Sequence, residues 1–309
     1  MRYKQRLLLV ILLIAHISTV FSQTTKLKKY ENVVYGMVSG TALLMDVYQP
    51  ANTNHIGIIM IEGSGFGYFD TESYNNDDLK SSYNSDPYFG KCAQALVGKG
   101  YTVFMINHRT VPRYHYPDIV YDCQRAVRFI RYNAKNYEID PVHIGAMGHS
   151  SGAYLVSMLG VTDTAITNAE NGVDSCSSKV QAVVTLAAPF DMGDLNIKEA
   201  RDSTIKAPVL ISIVETFMGE LPPVKKGEFY ASGKYLKASP VFNVTKNTAA
   251  FLIYYSDNDP YTPVRQGMNM SNKLIENNVP AKLVLRSKTK HHPDPDMNEV
   301  NTWFRKYLQ

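Results

Sequence analysis

Residues 142–160 read VHIGAMGHSSGAYLVSMLG, and this stretch decides the fold. It opens as an apolar strand over 142–147 and closes as an apolar helix from Ala153 to Leu159. Asp140-Pro141 punctuates its start. Between strand and helix lies Gly148-His149-Ser150-Ser151-Gly152, a G-x-S-x-G pentapeptide. A buried strand that turns this sharply into a helix holds the residue at the turn in a strained conformation with its side chain presented outward. The flanking glycines are required where two backbones approach too closely for a Cβ. Ser150 is therefore a candidate nucleophile. The same residues also allow a plain Gly/Ser loop between two core elements.

Upstream, residues 56–61 and 101–106 are short apolar runs of the kind buried on both faces of a parallel sheet. A helical pattern at 92–97 lies between them and stops near Gly98-Lys99-Gly100. Pro117 opens a helix expected over 118–136. Val120, Cys123, Val127 and Ile130 form its core face, and Arg125, Arg128 and Arg131 share a face expected to be solvated. This alternation predicts an α/β protein with a mostly parallel central sheet and helices on both faces. Residues 30–48 add an N-terminal antiparallel hairpin around Val38-Ser39-Gly40 at the sheet edge. Downstream, strands are expected at 180–187, 249–255 and 281–285, and helices at 264–276 and 297–308, with Trp303 in the core. Residues 191–240 lack periodicity and form a candidate lid insertion, with 208–214 read as extended. No repeat or low-complexity linker divides residues 23–309, which are expected to form one domain.

The 309 residues, 45% of them hydrophobic, suffice for one large core. Residues 1–22 combine Arg2, Lys4 and Arg6 with an apolar run over 7–15 and the small Ser22, the pattern of a cleaved signal peptide. A secreted or periplasmic protein beginning at Gln23 is the expectation, with no stable membrane span after cleavage. Without the three positive residues of that segment the formal charge falls from +4 to +1. The balance thus gives no reason to expect a nucleic-acid partner. Cys92, Cys123 and Cys176 make an odd count, so at least one is unpaired within the chain. No C-x-x-C or His/Cys cluster has metal-ligand spacing, and neither a metal nor another cofactor is expected.

A serine hydroxyl needs a base to take its proton, and the base needs a carboxylate to hold its tautomer. In an open α/β sheet these groups belong beyond the carboxyl ends of strands. Asp257 and Asp259 both follow the strand expected at 249–255, and His291 and His292 both follow the one at 281–285. The order Ser150, then an Asp, then a His results. His291 is preferred because His292 precedes Pro293, which restricts its backbone. Glu62-Gly63-Ser64-Gly65-Phe66-Gly67 follows the strand at 56–61, where three glycines imply a tight turn or a close approach. The long loop over 68–89 carries Tyr68, Phe69, Tyr74, Tyr83, Tyr88 and Phe89, either as a wall facing a substrate or as pins holding the loop to the body.

These segments resemble the α/β-hydrolases of the carboxylesterase and lipase-like group, near feruloyl and acetyl-xylan esterases and the hormone-sensitive-lipase branch. The matching stretches are VVYG…LLMDVYQP, IEGSGFG, NHRTVPRYHYPDIVYDCQRAVRFIRYNA, IDPVHIGAMGHSSGA, SPVFNV, SDNDPYTPV and HHPDPD, spread over nearly all of residues 23–309. The resemblance implies the α/β-hydrolase fold, with Ser150 as nucleophile, Asp259 rather than Asp257 as acid, and His291 as base. It also implies an oxyanion hole of backbone N–H groups at Ser64, Gly65 and Ser151. Three positions depart from the family pattern. Glu62-Gly63-Ser64-Gly65 stands for H-G-G-G, Tyr255-Ser256 for the H-G pair before the acid loop, and Lys290 for the glycine before the histidine. The implied activity is hydrolysis of a carboxylic ester, small or carbohydrate-linked, through an acyl-enzyme. An amide or peptide hydrolase and a catalytically silent binding protein remain alternatives.

Overall fold

The structure, a computed structural model, describes residues 27–67, 80, 82–163, 172–194, 207–220 and 233–309. The expected signal peptide, the aromatic residues Tyr68, Phe69 and Tyr74, and much of the expected lid lie outside these.

Among the described residues eight strands form one sheet: β1 (Lys28–Val38), β2 (Thr41–Gln49), β3 (Gly57–Ile61), β4 (Thr102–Ile106), β5 (Ile144–His149), β6 (Ala182–Leu186), β7 (Ala250–Ser256) and β8 (Ala281–Arg286). Their order is β1-β2-β4-β3-β5-β6-β7-β8. The first two strands make the expected edge hairpin, and β2 meets β4 antiparallel. From β4 onward every pairing is parallel. This is the α/β-hydrolase fold. Strand β3 sits at its centre, with Met60 opposite both Met105 of β4 and Met147 of β5.

Side chains alternate across a strand, so each central strand feeds two cores. Ile59 and Ile61 point into one, and Ile58 and Met60 into the other. The first core is closed by α2 (Asp118–Tyr132), α3 (Ser150–Val161), α4 (Ala207–Met218) and α6 (Val264–Glu276). The second is closed by α1 (Phe89–Gly98) and α7 (Met297–Leu308), through Phe89, Leu96, Val300, Phe304 and Leu308. A short α5 (Lys234–Ala238) precedes β7. Trp303 lies partly buried against the second core, its ring on Tyr307.

Three expectations need correction. Residues 208–214 are helical, inside α4, and not extended. The β-branched run there is overridden by packing, for Phe217 stacks on Phe66 at 3.8 Å between ring centroids. The arginine face of α2 is not solvated. Arg128 is buried, Arg125 pairs with Asp174, and Arg131 donates to the carbonyls of Pro141, Ser177 and Lys179. Residues 172–179 supply most of these partners, and a helical period carries no record of a loop crossing its polar face. Finally, α2 ends at Tyr132, and residues 134–137 form a separate 3-10 turn. All three cysteines are unpaired, with Cys92 and Cys123 buried.

Candidate active site

Strand β5 runs to His149, two residues beyond its expected end, and α3 begins at Ser150 with no residue between. The reversal is made at one residue. Ser150 has φ 51°, a left-handed conformation that a non-glycine residue holds only when its surroundings impose it. The imposition is visible on either side. A Cβ at Gly148 would lie 2.4 Å from the Gly152 carbonyl oxygen, and one at Gly152 would lie 2.1 Å from that of Ile61. Helix α3 therefore presses against the ends of β5 and β3, and the serine is left at the carboxyl edge of the sheet.

Two loops from the same edge reach it. Asp259 follows β7 and its side chain is fully buried. Its Oδ1 accepts from the backbone N–H groups of Tyr261 and Thr262, at 2.8 and 3.0 Å, and its Oδ2 accepts from the Thr262 hydroxyl at 2.7 Å. His291 follows β8 and places Nδ1 2.8 Å from Oδ2 and 3.0 Å from Oδ1. A carboxylate only accepts, so Nδ1 carries the proton and Nε2 is bare. That bare nitrogen stands 2.7 Å from Ser150 Oγ, positioned to accept the hydroxyl proton. The structure thus brings Ser150, Asp259 and His291 together.

Neither of the two alternative residues joins them. Asp257 is exposed, and its backbone N–H is bonded to the Arg286 carbonyl. His292 turns outward. Its ring stacks on His149 at 4.7 Å and meets Tyr88 edge-on at 4.8 Å.

Electrostatics follow from this packing. Burial opposes ionisation of Asp259, but the His291 hydrogen bond and charge, with the two backbone N–H groups, outweigh it and hold the carboxyl below its usual range. Burial dominates at His291 and pushes the ring below the ordinary histidine value, against the pull of Asp259. Burial together with the neighbouring His149 and His291 takes His292 down to about 4.

Beside Ser150 lies the turn after β3. Of the three expected oxyanion donors, Ser64 is already engaged: its N–H donates to Ser151 Oγ at 3.0 Å. The Gly63 N–H donates to Glu62 Oε1 at 2.8 Å. Among the described residues no acceptor faces the N–H of Gly65 or of Ser151.

Sequence reasoning passed over several residues at the site. Thr262 closes both oxygens of Asp259, and it lies inside SDNDPYTPV, where a hydroxyl three residues after an aspartate is a signal for such a turn. Glu62 and His149, 87 positions apart, meet at 3.2 Å, a contact to which no spacing rule points. The aromatic loop is partly described: Tyr83 stacks on Tyr48 at 3.6 Å, and Tyr88 packs on His149 and His292. Here these two rings act as pins.

The chain is similar in sequence to carboxylic ester hydrolases and in fold to solved esterases. The chain is 25% identical over 179 residues to the probable carboxylic ester hydrolase LipM of Mycobacterium tuberculosis, covering 58% of this chain and 38% of that protein. It is 26% identical over 183 residues to the esterase LipQ of the same organism, covering 58% and 39%. The chain thus spans well under half the length of these relatives. A truncated carbohydrate esterase from gut microbiota superposes with a TM-score of 0.72 at 24% identity, over 93% of this chain and 98% of that one. An acetyl ester-xyloside bifunctional hydrolase from Caldicellulosiruptor lactoaceticus does so with a TM-score of 0.66 at 18% identity, over 92% and 96%. The BD-FAE family matches residues 45–274, about three-quarters of the sequence, from within β2 to within α6, and the chain belongs to that family.

Proposed function

We propose that this protein is a secreted or periplasmic serine hydrolase that cleaves carboxylic esters, small or carbohydrate-linked, through an acyl-enzyme. The observation that carries the reading is the bare Nε2 of His291, 2.7 Å from Ser150 Oγ, with Nδ1 on the buried Asp259. In this reading Ser150 Oγ attacks the ester carbonyl as its proton passes to His291 Nε2. The carbonyl oxygen gains negative charge and is received by the Gly65 and Ser151 N–H groups. Asp259 stabilises the imidazolium, which returns the proton to the departing alcohol. A water molecule then repeats the sequence on the acyl-enzyme and frees the acid. The named activities of the relatives support an ester as the substrate.

The test is labelling with a fluorophosphonate, followed by intact-mass and peptide mapping, and a panel of chromogenic esters and amides of different chain length. One label on Ser150, no label in Ser150→Ala, and turnover of esters faster than amides are expected. Faster turnover of amides would move the assignment to an amide hydrolase. No labelling and no turnover would leave a binding protein of this fold. Secretion rests on residues 1–22 and predicts a processed protein beginning at Gln23, which mass analysis of the exported chain checks.

A further inference from the structure

His149 lies between the nucleophile and the histidine loop, and the reaction just described does not use it. Its side chain is 6% exposed and that of its neighbour Glu62 is 8% exposed. Nε2 of His149 faces the main-chain carbonyl of His291 at 2.9 Å. A carbonyl only accepts, so this nitrogen carries a proton. Nδ1 faces Glu62 Oε1 at 3.2 Å, and Oε1 already accepts the Gly63 N–H at 2.8 Å. A bare ring nitrogen against a bare carboxylate would set two acceptors together in a buried place, so one more proton lies between them. Burial pushes the Glu62 carboxyl up, which favours keeping that proton. At His149 burial acts the other way, but Glu62 on Nδ1 and the His291 carbonyl on Nε2 outweigh it and hold the ring above the usual histidine value.

The carbonyl held by His149 belongs to the base itself. It is one of three alternate carbonyls in the same loop that receive a side-chain donor. The Ser256 hydroxyl donates to Thr289, and the Tyr88 hydroxyl donates to Pro293 at 2.7 Å. Residues 287–296 contain neither helix nor strand. No ladder fixes this segment, so side-chain donors take over the task of ordering its backbone. His149 occupies the middle of the three, with His292 stacked on its ring and Tyr88 set edge-on to it at 5.3 Å.

We propose that Glu62 and His149 are a buried positioning pair for the base. Glu62 fixes the ring of His149, and the Nε2–H of His149 holds the His291 carbonyl, which keeps His291 Nε2 against Ser150 Oγ. The pair touches neither substrate nor reacting atom. It acts by geometry, and a displacement of about 1 Å at a reacting group can cost on the order of 10²-fold in rate. This inference rests on the Ser150–His291 assignment made above.

The experiment measures kcat and KM on one activated ester, with fluorophosphonate labelling rates, for wild type, His149→Phe, His149→Gln and Glu62→Gln. His149→Phe keeps a ring and loses both nitrogens. Its kcat should fall roughly ten- to hundredfold with KM within about twofold, because alignment and not substrate binding is lost. His149→Gln returns an amide N–H to the position of Nε2 and should recover kcat to within about fivefold of wild type. If His149→Phe does not fold, Glu62→Gln carries the same test, with an expected kcat loss of roughly three- to tenfold at unchanged KM. A labelled wild type beside a fully active His149→Phe, or beside a fully active Glu62→Gln where the former does not fold, overturns the pair alone. So does a loss carried by KM, or a glutamine variant no better than phenylalanine. A wild type that resists the reagent overturns the hydrolase reading and the pair with it.

Discussion

Ser64 gives its backbone N–H to the hydroxyl oxygen of Ser151, 3.0 Å away, and so ties the turn after β3 to the first turn of α3. Both residues are buried. The contact decides which amides of the turn are free. It satisfies the Ser64 N–H, so of the three expected oxyanion donors only Gly65 and Ser151 remain for the proposed role.

Replacing Ser151 by Ala removes this acceptor and leaves a buried N–H without a partner. That costs about 1–3 kcal/mol. Ser151→Ala should therefore unfold at lower urea concentration, while both proposed oxyanion amides remain and kcat/KM falls less than about tenfold. An unchanged urea midpoint would show that the contact contributes nothing, and a loss beyond a hundredfold would give the hydroxyl a direct part in catalysis.

The two adjacent histidines should separate cleanly. His291 meets Ser150 and Asp259, and His292 points to the surface against Tyr88 and His149. His291→Ala should lower kcat by a factor on the order of 10³–10⁶. His292→Ala should retain at least about a tenth, since it changes loop packing and not proton transfer. Both variants are compared on one activated ester, and the reverse ranking would move the base by one residue.

The parts of this molecule that obey short periods could be read from the chain. Strands β3, β4 and β7 are continuous apolar runs because both their faces are buried, and Ser150 is marked by glycines that two converging backbones require. Strand order narrows the candidate acid to Asp257 or Asp259 and the candidate base to His291 or His292, since ligands gather where parallel strands end. What escaped depends on contacts between distant positions. Arg128 and Arg131 sit on the polar stripe of α2, yet a loop beyond β5 covers them. Residues 208–214 have a β-branched composition that packing against Phe66 overrides. Glu62 is noticeable in sequence only as a departure from a histidine, and its partner occupies the variable position of the pentapeptide.

Asp122 offers a stability test away from the serine. Arg109 reaches both its oxygens through Nε and Nη2 at 2.8–3.0 Å, and the Arg109 backbone N–H donates to Oδ2 at 2.9 Å. The two side chains are 7% and 2% exposed. Removing one member of such a pair leaves a buried charge uncompensated. Asp122→Ala should cost about 3–5 kcal/mol in a urea titration. Arg109→Lys should also destabilise, because a single ammonium cannot reproduce the forked contact. The segment matters to the site, for the Val111 N–H two residues later donates to the Phe66 carbonyl in the turn after β3. A wild-type midpoint for Asp122→Ala would contradict the pair's importance.

Two glycines should respond in opposite ways to the same change. A Cβ at Gly152 meets backbone, 2.1 Å from the Ile61 carbonyl oxygen, and backbone in the central sheet cannot yield. A Cβ at Gly98, inside α1, meets nothing within 4 Å. Gly152→Ala should prevent recovery of soluble folded protein. Gly98→Ala should be neutral or stabilise by up to about 1 kcal/mol, through helix propensity. Folding yield and thermal midpoint separate the two, and a well-folded Gly152→Ala would mean that α3 does not press on β3 as described.

The pH dependence of catalysis should follow the environment of His291. Asp259 and His149 are the titratable groups that act on it, and the Tyr261 and His292 rings pack near it at 4.9 and 6.0 Å. Burial is the largest influence and lowers the ring below its ordinary 6.5, with Asp259 opposing and His149 reinforcing. Only the neutral ring can accept the Ser150 proton, so activity is present above the folded pKa and lost as pH falls through it. The acid limb of kcat/KM should therefore have its midpoint below 6.5. Stability has the same sign. The unfolded chain takes up the proton near 6.5 and the folded protein only at lower pH, so acid favours unfolding across that interval. His292, lowered from 6.5 to about 4, acts in the same direction over that whole interval, and the lowered Asp259 carboxyl does so at still lower pH. A pH–rate profile with an acid midpoint above 7 would show that the ring is charged more readily than its burial allows. Asp259→Asn removes the group that raises the ring, so it should move the limb to lower pH while lowering kcat. A limb that moves upward in that variant would assign it to another residue.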